Sequence, residues 1–74
     1  MDELTDRRFR SLVVNGEQTK LAAGNLAAAL IALDYGKARV ATALNGEFVP
    51  ARARATTPLK DGDRIEIVAP RQGG

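Results

Sequence analysis

"VATALNGEFVP", residues Val40 to Pro50, is the stretch whose reading decides the fold. Two β-rich runs flank Asn45-Gly46, a dipeptide that tolerates the left-handed backbone of a two-residue turn, so the stretch predicts a tight antiparallel hairpin. A turn of that length sets the register, with Leu44 opposite Glu47, Ala43 opposite Phe48 and Thr42 opposite Val49. Opposed residues share a face and neighbours alternate, so Thr42 and Val49 go to one side of the sheet, Ala43 and Phe48 to the other. Pro50 has no N–H for a ladder and ends the second strand.

The same device occurs earlier in the chain. "FRSLVVNGEQTKL", from Phe9 to Leu21, carries Asn15-Gly16 between two short runs and predicts a first hairpin, with Leu12, Val14 and Leu21 inward and Val13 outward. Between the hairpins, Asn25 is placed to cap a helix. Leu26, Ala29, Leu30 and Leu33 follow at the i, i+3, i+4, i+7 spacing of one buried face, and Gly36 is the expected stop. After Pro50, Ala51 to Thr57 reads as an irregular basic connection. In "PLKDGDRIEIVA", Asp61-Gly62-Asp63 predicts a turn and Arg64 to Ala69 a half-buried strand. Ile65 and Ile67 are the large apolar pair at period 2 and face the helix, which turns Arg64, Glu66 and Val68 outward.

The order ββαββ with a final β predicts an α+β fold, a mixed four- to five-stranded sheet packed on one helix. One helix covers one face only. Val13, Ala43, Phe48 and Val68 then form an apolar patch on the open face wherever their strands are neighbours, the kind of patch that marks a partner surface.

Composition removes most other readings. A chain of 74 residues holds one domain and buries roughly 60% of its unfolded surface, too little for a deep catalytic cavity. There is no Cys and no His, which excludes thiolate nucleophiles, Cys/His zinc sites and the usual neutral-pH base. "MDELTDRRFR" lacks a signal-peptide core and no apolar run approaches the ~20 residues of a membrane span, so the expected place is the cytoplasm, with no membrane partner. The net charge is +2, but acids interleave the arginines and the aromatics are two Phe and one Tyr, too few for a base-stacking platform, so no nucleic acid is expected either. Asp61 and Asp63 read as turn chemistry rather than a carboxylate site. Arg52, Arg54 and Arg71 read either as a docking surface for an acidic partner or as solvated charge.

"VATALNGEFVP" followed by "TTPLKDGDRIEIVAPRQGG" resembles the thiamine-pathway sulfur carrier family, the ThiS type of ubiquitin-like β-grasp protein. The resemblance runs from about Leu12 to Gly74 and rests on Asn45-Gly46-Glu47 before Val49-Pro50, Asp61-Gly62-Asp63 before the "IEIV" strand, and the final Gly73-Gly74. The chain departs from the family where a basic residue often follows the Val-Pro pair: Ala51 comes first and Arg52 next. Residues 1–8 read as a mobile polar lead-in, and the resemblance implies a β-grasp domain over 9–69 and a flexible Gly-Gly tail over 70–74. It implies that the carboxylate of Gly74 is adenylated and converted to a thiocarboxylate, the sulfur going to thiazole formation.

The carrier is then a protein co-substrate and not an enzyme. It binds no cofactor; ATP-Mg is used by a ThiF-like adenylyltransferase, which is required because the chain has no G-x-x-x-x-G-K-[ST] loop. The other implied partners are a ThiG-like thiazole synthase and a persulfide donor. The expected contacts are Gly73, Gln72 and Arg71 on the tail, with Val68, Phe48, Ala43 and Val13 on the sheet. Two glycines suit a channel too narrow for a Cβ, and five extended residues reach roughly 15 to 18 Å. The alternatives are a molybdopterin-synthase small-subunit type of carrier, with the same terminus, and a ubiquitin-like binding module without a reactive end.

Overall fold

The computed structural model describes residues 9–69. Arg10–Val14 (β1) and Glu17–Leu21 (β2) form the first hairpin, and Leu26–Ala32 is the helix (α1). Ala41–Leu44 (β3) and Glu47–Val49 (β4) form the second hairpin, and Arg64–Val68 is the last strand (β5). Both turns have the expected backbone, with φ of 50° at Asn15 and 86° at Gly16, then 51° at Asn45 and 88° at Gly46. The register of the second hairpin is the one that its turn dictates: Leu44 with Glu47, Ala43 with Phe48, Thr42 with Val49.

The five strands lie in the order β2-β1-β5-β3-β4, so the last strand made is the middle one. It runs parallel to β1 and antiparallel to β3, which makes the sheet mixed. Both turn asparagines are fastened to it. Asn15 donates through Nδ2 to the Ile67 carbonyl (3.2 Å) and accepts at Oδ1 from the Ile67 N–H (2.8 Å), replacing a ladder residue where β1 has ended. Asn45 accepts from the Arg64 N–H (2.9 Å) and donates to Oδ1 of Asp63 (3.0 Å). Asp63 is buried, and its other oxygen accepts the Lys60 N–H (2.8 Å), while Asp61 accepts the Ser11 N–H (2.8 Å). The two aspartates are turn chemistry, as expected.

The core lies between one face of the sheet and the helix. Leu12, Ile65 and Ile67 from the central strands meet Leu26, Ala29 and Leu30 from α1, with Leu21, Val49 and Leu59 around them. Asn25 caps the helix, its side-chain oxygen accepting the Ala28 N–H at 2.8 Å.

Two expectations need correction. The helix does not stop at Gly36. Asp34 takes the left-handed position at φ 73°, with its N–H on the Ile31 carbonyl (3.0 Å) and the Tyr35 N–H on the Leu30 carbonyl (2.7 Å), the bonding of a Schellman end. An aspartate there carries a left-handed strain and sits at the negative end of the helix dipole. Asp34→Gly is therefore expected to stabilise the domain by about 0.5 kcal/mol, read as a rise of a few degrees in the thermal midpoint. The segment after Pro50 is not irregular either: Ala51–Thr56 is a 3-10 helix whose sequence carries no side-chain cap to announce it. It packs against α1, and the Leu26 N–H bonds the Thr57 carbonyl at 2.9 Å.

Candidate functional site

The open face of the sheet is laid out by alternation. On β5, Ile65 and Ile67 are buried while Arg64, Glu66 and Val68 are exposed. Ala43 stands between Glu66 on β5 and Phe48 on β4, and Ala41 stands opposite Val68. Phe48 is 70% exposed and Val68 62% exposed, so these two large side chains flank a pair of alanines on β3. Phe48, Ala43 and Val68 come together as the sequence predicts.

Val13 stands apart from them. Its strand is next to β5, but its direct neighbours across the ladder are Arg64 and Gln18, and Glu66 occupies the β5 position opposite Ala43. Two charged side chains therefore separate Val13 from the apolar cluster. Ala41 is the member that the sequence reading missed; it lies two residues before Ala43 on the same face, so the same alternation would have found it.

Beside Val68 the face runs into a groove of about 530 Å³, floored by Val40, Ala41, Ala51 and Val68 and bordered by Arg39 and Arg54. Arg54 is not a freely solvated charge. Its Nε donates to Thr42 Oγ1 (3.0 Å) and its Nη2 to the Val40 carbonyl (2.7 Å), and the Thr42 hydroxyl in turn donates to the Val49 carbonyl (2.8 Å). This chain satisfies Thr42, a fully buried polar residue, and ties the 3-10 helix to β3. Arg52, two residues earlier, is exposed.

Arg71, Gln72, Gly73 and Gly74 lie outside the described residues, as do 1–8. β5 ends at Val68, which stands at the edge of both the apolar cluster and the groove. Among the described residues no group of His, Cys, Asp and Glu could hold a metal ion, and no helix is long and apolar enough to cross a membrane.

Comparison with known proteins agrees with the fold. The model of the ThiS family matches residues 12–74. The crystal structure of the thiamine biosynthesis protein ThiS from Geobacter metallireducens superposes with a TM-score of 0.74 at 34% identity, over 86% of this chain and 99% of that one. A thiazole synthase of Paramagnetospirillum magneticum is 39% identical over 64 residues, 85% of this chain; the match spans 20% of that longer protein.

Proposed function

The chain belongs to the ThiS family, and from that premise we propose that it is a cytoplasmic sulfur carrier of thiamine biosynthesis, loaded at the carboxylate of Gly74. The observation that carries the reading is the extent of the family match, which continues through the final glycine. A carboxylate is a poor acyl donor, since its leaving group would be oxide. A ThiF-like adenylyltransferase removes that obstacle: a carboxylate oxygen attacks the α-phosphorus of ATP, pyrophosphate leaves, and an acyl adenylate remains. The terminal sulfur of a persulfide then attacks the carbonyl carbon and expels AMP. A thiol cleaves the resulting acyl disulfide, becoming oxidised to a disulfide and releasing the thiocarboxylate. A ThiG-like thiazole synthase takes the sulfur, a step supported by the likeness to part of a thiazole synthase.

In this scheme the domain supplies recognition and the tail supplies the reacting group, so the protein is a carrier and not a catalyst. The test is to incubate it with the adenylyltransferase, ATP-Mg and a persulfide donor. The mass should change by one oxygen-to-sulfur exchange, located on Gly74 by fragmentation. An unchanged mass, with an enzyme active on an established carrier, overturns the reading.

The apolar cluster is the proposed docking face for that enzyme. Phe48→Glu removes a large exposed anchor and would place an unpaired carboxylate in an apolar contact. Association should weaken by roughly thirtyfold, about 2 kcal/mol, with an unchanged circular dichroism spectrum. Equal affinity in a folded variant removes Phe48 from the docking face.

A further inference from the structure

Among the described residues, the groove beside Val68 has charged side chains of one sign. Its floor is made of small and β-branched apolar side chains, and among the described residues the charged ones that border it are two arginines, with no carboxylate in the lining. Arg54 is preset: one bond to Thr42 on β3 and one to the Val40 carbonyl just before it fix one edge of its guanidinium, and Nη1 has no hydrogen-bond partner among the described residues. A guanidinium already held in place loses little rotamer freedom when it meets a planar anion. Arg39 is exposed on the connection that leads into β3.

We propose that this groove seats an extended acidic segment of the adenylating enzyme, with an apolar side chain on Ala41, Ala51 and Val68 and a carboxylate on Arg54 and Arg39. Charge and polarity together select that occupant. A basic segment would face two like charges, and a wholly apolar one would strip water from two guanidinium groups without pairing them. A phosphate backbone would match the arginines and leave the apolar floor without a partner. Ala41 and Val68 belong both to the groove and to the apolar cluster, so one protein can cover both surfaces without a gap. The inference rests on the sulfur-carrier reading for the identity of the partner.

The experiment measures affinity for the purified adenylyltransferase, together with adenylation, for the full-length protein and three variants. Arg39→Glu should weaken binding roughly tenfold at low salt, and the difference should shrink as salt rises. Ala51→Phe, which fills the groove from an exposed position on the 3-10 helix, should weaken binding at every salt concentration. Lys20→Glu makes the same charge change on β2, at the opposite edge of the sheet, and should stay within about twofold of wild type. The inference is overturned if Arg39→Glu and Lys20→Glu weaken binding equally, or if Ala51→Phe binds as wild type does, while wild type is adenylated normally. A wild-type protein that is neither bound nor adenylated instead sinks the carrier reading, and the groove's assigned partner with it.

Discussion

A single alanine added after Gly74 is expected to lower the rate of sulfur loading by at least about a hundredfold. On the proposed reading, the added residue blocks the reacting carboxylate in an amide bond and moves the new chain end past the α-phosphate that is attacked. Removing Gly74 is the complementary test, since it leaves a chemically similar carboxylate on Gly73 one residue short. Gly73→Val probes the passage, because a β-branched side chain stiffens the tail and needs room that a glycine-sized channel lacks. All three changes lie beyond β5 and should leave the thermal midpoint where it is. The readout is the mass of the intact protein after timed reaction with the adenylyltransferase, ATP-Mg and a persulfide donor. If the alanine-extended protein is loaded as fast as the native one, the carrier reading fails and a ubiquitin-like binding module becomes the better account.

The second large effect is on stability. Ile65 is fully buried on the central strand, where it pairs with Val14 on one side and Leu44 on the other. Ile65→Ala should cost about 3 kcal/mol through lost burial and the cavity left behind, out of a total of order 5 kcal/mol for a domain of this size. The thermal midpoint should fall by about 15 to 25 °C. Glu66→Ala, one residue on and facing solvent, should change stability by no more than about 0.5 kcal/mol. Similar losses at the two positions would contradict the alternation that defines the open face.

Those two residues also show which parts of the molecule were legible beforehand. The alternation of Arg64 to Val68, the register of the Asn45-Gly46 hairpin and the Asn25 cap depend on contacts within a few residues, and each was readable from local chemistry. The order of the strands was not. Pairing of β1 with β5 joins positions about fifty residues apart, and nothing in either segment names its partner, so Val13 could be assigned a face but not its neighbours. Arg64 and Glu66 therefore went unnoticed as the charges that isolate it. Ala51–Thr56 was opaque for a different reason: alternating alanine and arginine shows neither the 3.6-residue period of an α-helix nor a capping side chain. Arg54 was read with its basic neighbours because its role depends on Thr42, a residue whose inward position was clear but whose need for a second partner was not. Gly36 was the better residue for the helix stop, yet Asp34 reaches the left-handed position first, and aspartate bears that backbone better than most.

Placing β5 in the middle of the sheet also sets the order of events during synthesis. Each hairpin can close as its own residues leave the ribosome, but the two have no strand in common until the last one arrives. The Asn15 bonds that bring the first hairpin to β5 span 52 residues, and such distant closures come late in folding. Until then Phe48 and Ala43 sit on an isolated hairpin and Val68 is elsewhere, so the surface that they share does not exist. The docking proposed above therefore requires a chain whose last strand is in place, so the completed sheet itself is what the proposed partner recognises.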